Sequence, residues 1–161
     1  MKLEVKLLQE DSPELKEAYE LILEASAWIK DKGVQQWEEP ISLDKFKHAA
    51  KIGEVFGWIF EGKVIASVTL SKHKDFYWGE VSGSSIHAHR LVVSRKFKGL
   101  GLGEELLKWS ADYTKKIGYE FLRLDCRDSN PILKKYYASQ GFTYKGIGHG
   151  AFPFALFEKK V

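Results

Sequence analysis

Glycines occupy every second position of one short turn, just ahead of an amphipathic segment. The turn reads KGLGLG over residues 98 to 103. Glycines let backbone N–H groups come close to an anion, and a helix N-terminus adds roughly half a positive charge. Neither a P-loop nor a dinucleotide fingerprint fits, because Glu104, Glu105 and Leu106 stand where those motifs need other residues. The turn therefore predicts an anion site of another kind, with close packing of a helix on a strand as the alternative.

Two histidines upstream of this turn are the first candidates for proton transfer. His87 and His89 are two residues apart in SIHAHRLVV, which has the character of a strand, so both side chains should emerge on one face. With ordinary pKa values of about 6.5, histidines can accept protons at working pH. Hydrogen-bonded strand histidines without a catalytic role are the alternative. Two histidines are too few for a metal site, and Cys126 is the only cysteine, so we expect no metal.

Two motifs, in order along the chain, resemble those of one enzyme family. The coenzyme A signature of the GCN5-related N-acetyltransferase (GNAT) superfamily, Arg/Gln-x-x-Gly-x-Gly/Ala, resembles KGLGLG, with Lys98 in place of the usual Arg or Gln. The family's Asn-x6-Tyr-x3-Gly-Phe element is similar to NPILKKYYASQGF, where Asn130, Tyr137, Gly141 and Phe142 fall on it. The His-x-His spacing is similar to that of arylalkylamine N-acetyltransferases.

By this resemblance, the protein is an acetyl-CoA-dependent N-acetyltransferase that passes the acetyl group directly from the thioester to a primary amine of a small molecule, an amino acid or a peptide. Tyr137 is the expected general acid toward the departing thiolate, with a packing role as the alternative. A non-catalytic acyl-CoA-binding sensor of the same fold stays open as a second function. The residues expected at coenzyme A are Leu91, Val92, Val93, Lys98, Gly99, Leu100, Gly101, Leu102, Gly103, Glu104, Asn130 and Tyr137.

The general base and the acceptor pocket are less sharply defined. His89 and His87 are the expected bases, and their titration predicts a kcat/KM that rises with pH through an apparent pKa of about 6 to 7.5. Glu80 and Glu38 are rival bases, because many family members use a glutamate. Contacts with the acceptor substrate are expected from Glu38, Glu80 and Trp37, the last in the polar loop VQQWEEP.

Three other residues have ordinary interpretations. Asp125 ends a predicted strand and could accept a proton, but we expect an internal ion pair with Arg123 or Arg127. Cys126 is expected to be a small strand-end residue, because direct transfer needs no acyl-enzyme. The patterned position of Trp28 in a helical segment predicts a core residue.

The elements that must position these residues follow from periodicity and from capping signals. Ser12-Pro13, Ser42 and Asn130-Pro131 predict helix starts, and EVFGWIFEGKVIASVTLS predicts a hairpin around Glu61-Gly62. The predicted order is β α α β β β α β α β β, an α/β or α+β domain. The family resemblance implies a mixed, mostly antiparallel sheet of six to seven strands, flanked by about four helices, with a splayed central strand pair.

Composition bounds the remaining possibilities. The 161 residues, 44% hydrophobic, have the length of one domain, and we treat residues 1–161 as a single GNAT-like domain. A net charge of +3 is too small and dispersed to predict nucleic-acid binding. No apolar run of about 18 residues or secretory signal is visible, so we expect no membrane partner and a cytoplasmic location. Exposed aromatics of the C-terminal strand would suit a homodimer contact.

Overall fold

The computed structural model of the chain describes residues 1–33 and 39–161. These residues form four α-helices and seven β-strands in the predicted order. The helices are α1 (Pro13–Asp31), α2 (Leu43–Lys51), α3 (Leu102–Lys116) and α4 (Pro131–Ser139). The strands are β1 (Glu4–Leu7), β2 (Val55–Phe60), β3 (Lys63–Ser71), β4 (Ser85–Val93), β5 (Phe121–Arg127), β6 (Thr143–His149) and β7 (Pro153–Lys160).

The strands form one open, mixed sheet in the order β1-β2-β3-β4-β5-β7-β6. Neighbouring strands are antiparallel except β4 and β5, which are parallel. The predicted β2–β3 hairpin is confirmed: Glu61 and Gly62 both have positive φ, 49° and 77°, as a tight two-residue hairpin turn requires. The predicted fold class, a mostly antiparallel sheet with four helices, is confirmed.

Alternation along the strands divides the core between the two faces of the sheet. Ile86 and Ala88 of β4 pack toward α3, together with Leu106, which is fully buried. Val92 packs on the other face with the residues of α1 and α2, among them Phe46, also fully buried. Burying a side chain of this size stabilises the fold by about 1.5–3 kcal/mol. The register therefore leaves His87 and His89 on the α1 face.

The parallel pair β4–β5 separates halfway along its length. The last Cα partners are His87 and Arg123, although both strands continue for several residues beyond them. At the same place the register of β4 against β3 shifts, from Thr69↔His89 to Ser67↔Val92, which leaves one extra residue in β4. Arg90 has a φ of 50° there, the left-handed conformation of a bulged residue. The predicted splayed central pair is thus present, and it opens a gap in the sheet.

Three of the four described helices begin with a side-chain cap. The side-chain oxygens of Ser12, Ser42 and Asn130 accept hydrogen bonds from backbone N–H groups in the first turns of α1, α2 and α4. Helix α3 begins instead at Gly101, which has a φ of 75°, and no described side chain caps it. Its first N–H groups are therefore left for another partner.

Of two expectations about aromatic residues, one is wrong and the other holds in part. Trp28 is 37% exposed and lies outside the core, because it borders an open cavity. In the C-terminal segment, Phe157 of β7 is only 2% exposed, whereas Phe152, just before β7, is 43% exposed. Among the described residues no helix has the length and apolar character needed to cross a membrane.

Candidate active site

A shallow groove of about 280 Å³ runs along the glycine turn, and we call it the glycine groove. Its lining includes Lys98, Gly99, Gly101, Gly103 and Glu104. A Cβ at position 99 or 101 would meet no atom within 4 Å, so the missing side chains leave open space and not packed contacts. Together with the uncapped start of α3, this geometry provides N–H groups and room for an anion.

A larger cavity of about 510 Å³ passes through the gap between β4 and β5, and we call it the through-sheet cavity. Residues of α1 line it on one face of the sheet and residues of α4 on the other. Val93, Arg95 and Tyr136 line both this cavity and the glycine groove, so the two are adjacent. Trp28 borders the α1 side, where the Arg95 guanidinium lies 3.7 Å from its ring centroid.

Tyr137 lines the through-sheet cavity from the α4 side, where the sequence motif puts it. Its ring contacts those of Phe142 and Phe157, with centroid distances of 6.2 and 5.8 Å. Burial raises the pKa of Tyr137 above its ordinary range, so the hydroxyl stays protonated at neutral pH, as a proton donor must. Tyr136 lies nearer the turn: its hydroxyl would be 3.0 Å from a Cβ at Gly103.

The two histidines share a face, as predicted, but have different surroundings. His89 lines the through-sheet cavity, whereas His87 is 1% exposed and is not among the described residues that line it. The Nε2 of His87 is 3.1 Å from the Ser85 hydroxyl, and the edge of its ring faces Trp78. Burial, with smaller effects from His89 and Arg123, lowers the pKa of His87 to about 4. Burial and the adjacent Arg90 also lower the pKa of His89.

Asp125 lines the same cavity and takes part in a hydrogen-bond network with the loop after β3. Its carboxylate accepts hydrogen bonds from the Tyr77 hydroxyl and the Trp78 indole N–H, each at 3.2 Å. The Tyr77 hydroxyl is also 2.9 Å from the Asp75 carboxylate. Burial raises the pKa of Asp125 to about 6, against the lowering effect of these two hydrogen bonds. Of the two expected ion-pair partners, Arg123 forms its salt bridge with Glu158 instead.

Arg123 has other partners. Its Nε donates to Glu158 at 3.0 Å, and another guanidinium nitrogen donates to the backbone oxygen of Ser82 at 2.6 Å. The side chain is 2% exposed, so a nearby carboxylate offsets the cost of burying its charge. Since Arg123 is held by Glu158, it does not neutralise the charge of Asp125 through a direct contact.

The loop of residues 72–84, which we call the aromatic loop, covers the α1 face of β5, β7 and β6. Tyr77 stacks on Phe154 with centroids 4.4 Å apart. A Cβ at Gly148 would lie 2.5 Å from the backbone oxygen of Tyr77, so only glycine permits this approach. The loop therefore holds Asp75 and Trp78 beside the cavity by packing directly on the sheet.

Some of the remaining predicted site residues line the two cavities and others do not. Leu91, Val92 and Val93 line the through-sheet cavity, and Leu102 lines the glycine groove. Asn130 is 5% exposed and caps α4.

Leu100 and Glu80 are exposed, and neither is among the described residues lining these two cavities. Trp37 and Glu38 lie outside the described residues. Within residues 1–33 and 39–161, no group of three or more His, Cys, Asp or Glu side chains could hold a metal ion.

The sequence interpretation missed the contribution of the aromatic loop. Asp75, Tyr77 and Trp78 are not among the residues predicted for the site, although Glu80 of the same loop is. The available signal was composition: KHKDFYWGE concentrates aromatic and charged residues in a loop, where exposed aromatics need a partner surface. The glycines of β6 were the matching signal for that surface.

Comparison with known proteins agrees with this geometry. Residues 14–142 match the Acetyltransferase (GNAT) family. The chain is 29% identical, over 154 residues, to the N-acetyltransferase YesJ of Bacillus subtilis (strain 168), an alignment covering 88% of this chain and 82% of that protein.

Solved structures with the same fold include a GNAT-family acetyltransferase from Listeria monocytogenes 4b F2365, at a TM-score of 0.86 and 23% identity, covering 99% of this chain and 95% of that one. The PaiA N-acetyltransferase from Thermoplasma acidophilum, crystallised in complex with coenzyme A, has a TM-score of 0.75 and 18% identity over the whole of both chains. The chain therefore belongs to the acetyltransferase (GNAT) family and is an acetyl-CoA-dependent acyltransferase.

Proposed function

We propose that the protein transfers the acetyl group of acetyl-CoA directly to a primary amine of a small molecule, an amino acid or a peptide. The observation that carries the proposal is the through-sheet cavity, which connects Tyr137 on one face of the sheet with His89 and Asp125 on the other. A thioester in the gap between β4 and β5 would be open to the donor acid from one side and to an amine from the other.

The coenzyme would lie along the glycine groove and the splayed end of β4. Its pyrophosphate would accept hydrogen bonds from the N–H groups of residues 99 to 104, with Lys98 as a nearby cation. Its pantetheine arm would pair with the backbone of Leu91, Val92 and Val93, because the pairing of β4 with β5 ends at His87. PaiA, which has the same fold, was crystallised with coenzyme A, and this supports binding of the coenzyme. Asn130 is proposed to contact the arm while capping α4.

The acceptor amine must lose a proton before or during attack. A lysine-like amine of pKa about 10.4 is neutral in about one molecule in 10³ at pH 7, which costs about 4 kcal/mol. His89 and Asp125 both line the acceptor side of the cavity and can receive this proton. His89 stays neutral at working pH because its pKa is lowered, so it can orient the amine through a hydrogen bond. His87, which is buried, is proposed to hold His89 in position.

The leaving group needs a proton, and Tyr137 is proposed to supply it to the coenzyme thiolate. Direct transfer is supported by the state of Cys126, the only cysteine of the chain. Burial, and then the charge of Asp125, raise the pKa of this thiol to about 12, so it carries almost no thiolate at neutral pH. A covalent acetyl-cysteine is therefore not part of the proposal.

Two wider proposals concern the setting of the enzyme. A cytoplasmic location suits a chain whose single cysteine is buried and unpaired. A homodimer would use the edge strand β6, where Tyr144 and Ile147 are 48% and 45% exposed, and not β7. Light scattering over a range of concentrations measures this association directly.

The decisive experiment measures free coenzyme A release from acetyl-CoA over a panel of amines. The panel contains L-lysine, 2-phenylethylamine, glucosamine 6-phosphate and a short peptide with a free N-terminus. We expect at least one amine to raise the rate well above acetyl-CoA hydrolysis, with the acetylated amine identified by mass. Tight acetyl-CoA binding without turnover on any panel amine would favour the sensor function instead.

A further inference from the structure

We propose that Asp125, Tyr77 and Asp75 form a proton relay that carries the proton of the acceptor amine out of the active site. Asp125 is the group that meets the substrate, and Tyr77 and Asp75 act through it. The inference rests on the proposed function, because it assigns the base and the proton path of that same site.

The first argument is the geometry of the three groups. The Tyr77 hydroxyl lies between two carboxylates, 3.2 Å from Asp125 and 2.9 Å from Asp75. A phenol has one proton to donate, so it cannot donate to both carboxylates at once. When Asp125 holds a proton, however, it can donate to the Tyr77 oxygen while Tyr77 donates to Asp75. Both hydrogen bonds of the Tyr77 hydroxyl can therefore form when the Asp125 carboxyl is protonated.

The second argument is that the two ends of the relay, Asp125 and Asp75, have different surroundings. Asp125 lines the through-sheet cavity, where the acceptor amine is expected. Asp75 lies half-buried in the aromatic loop, beside residues that are exposed on both sides, at Lys74 and Phe76. A proton that reaches Asp75 is thus close to solvent, whereas one held on Asp125 stays beside the bound substrate.

The transfer balances without any oxidant or metal. The amine N–H bond breaks as its nitrogen attacks the thioester carbonyl, and the proton bonds to Asp125. Asp125 then gives its proton to the Tyr77 oxygen as Tyr77 gives its own proton to Asp75. Burial and the neighbouring carboxylates raise the pKa of Tyr77, so the hydroxyl does not ionise and must gain one proton as it loses another. Asp75 finally releases a proton to water.

Other groups around Asp125 set its titration. Burial raises its pKa to about 6, and Asp75 adds to this, while the hydrogen bonds from Trp78 and Tyr77 act in the opposite direction. Among the described residues, the other titratable or charged side chains near it are Tyr137 on α4, His89 in β4, Arg123 and Arg127 on the same face of β5, and Cys126, next to it in β5 but on the opposite face. Since a base works when deprotonated, kcat/KM should rise with pH through about 6.

The test compares pH–rate profiles of four variants with wild type, using the panel amine that wild type acetylates fastest. Asp125→Asn should lower kcat about 10²-fold or more and remove the limb near pH 6. Tyr77→Phe keeps the ring stacked on Phe154, and Asp75→Asn keeps an acceptor oxygen for Tyr77, yet neither can pass the proton. Each should lower kcat about tenfold with acceptor KM nearly unchanged. Tyr113→Phe, which removes a hydroxyl from a ring that stacks on Trp109 and is not among the described residues lining the cavity, is the control.

Chemical rescue separates proton transfer from structure. Imidazole buffer can take the proton from Asp125 when the relay is broken, so it should restore kcat of Tyr77→Phe and Asp75→Asn toward wild type but leave Asp125→Asn low. Unchanged kcat in both relay variants, or a loss in both that imidazole does not restore, would overturn the relay. A wild-type profile in Asp125→Asn would overturn its first step. Failure of acetylation with wild type itself is a failure of the proposed function, and the panel detects it first.

Discussion

The two sides of the through-sheet cavity are built by different means. The coenzyme side uses backbone: glycines, the uncapped start of α3 and the end of β4, which separates from β5. The acceptor side uses side chains from distant parts of the sequence, with Asp75 and Tyr77 in the aromatic loop, His89 in β4 and Asp125 in β5. A backbone site depends on conformation and leaves a local motif. A side-chain site depends on which elements pack together, and its residues are free to vary with the substrate.

The strongest test of this contrast is a change in the glycine turn. Gly101→Glu puts a carboxylate at the start of α3, where the pyrophosphate is proposed to bind, and it also strains a φ of 75°. We expect acetyl-CoA affinity to fall by about 100-fold or more, since the anion site gains a like charge. Calorimetry measures the affinity, and circular dichroism checks the fold.

A matched variant separates the effect of backbone strain from the effect of the added carboxylate. Gly118 also has a positive φ, of 88°, with no atom within 4 Å of a Cβ, and it ends α3 far from its first turn. Gly118→Glu should lose stability to a similar extent and keep its coenzyme affinity. Equal loss of affinity in both variants would mean that the turn matters only as structure.

The next largest effect is expected where the two sides meet. Tyr137→Phe removes one hydroxyl and keeps the ring against Phe157, so coenzyme affinity should hold while kcat falls about 10²-fold. Tyr144→Phe is the matched control, because its ring also contacts Phe157, at 5.6 Å, from the exposed edge strand. A wild-type kcat in Tyr137→Phe would leave Tyr137 as a packing residue.

The same contrast explains what the sequence could predict. Local signals decide the glycine turn, the caps at Ser12 and Ser42 and the Glu61-Gly62 hairpin. The order of the elements and the glycine turn of the coenzyme side could therefore be predicted from the sequence. Nothing local indicates that Tyr77 packs on Gly148, because the two are joined only by the fold.

The surroundings of the histidines could not be predicted for the same reason. An exposed histidine titrates near 6.5, but the neighbours that bury His87 are Trp78, from the aromatic loop, and its own sheet. The expected ion pair of Asp125 with Arg123 failed for the same reason, since Glu158 comes from β7. Charge partners across a sheet are set by strand order, which periodicity does not reveal.

A glycine-to-alanine change can test the acceptor side alone. In Gly148→Ala the new Cβ would lie 2.5 Å from the Tyr77 backbone oxygen, so the aromatic loop must move. We expect kcat/KM for the amine to fall about tenfold, because small displacements of positioning groups are costly, with acetyl-CoA affinity unchanged. Gly57→Ala, where the Cβ would meet only the Leu8 side chain at 3.0 Å, is the control for stability. Loss of coenzyme affinity in Gly148→Ala would contradict the separation of the two sides.

The smallest effect is on stability, where two buried groups of the acceptor side act in opposite directions. The pKa of His87 is lowered to about 4, so between pH 6.5 and 4 the unfolded state binds a proton that the native state does not, and stability falls as pH falls. The pKa of Asp125 is raised to about 6, so between pH 6 and its unfolded value of about 3.9 the native state binds the extra proton, and stability rises as pH falls. Each contributes at most about 1.4 kcal/mol per pH unit, and the two offset each other.

Removing either group should therefore expose the other. Urea unfolding between about pH 4.5 and 6 should give His87→Gln a free energy of unfolding that rises, relative to wild type, as pH falls, because only His89 then opposes the contribution of Asp125. Asp125→Asn should change the slope in the opposite sense, since His87 and His89 then act alone. The comparison uses slopes and not absolute stabilities, so the packing cost of each substitution cancels. Parallel slopes in wild type and both variants would mean that neither His87 nor Asp125 has a shifted pKa, which would contradict the proposed effect of burial on the acceptor side.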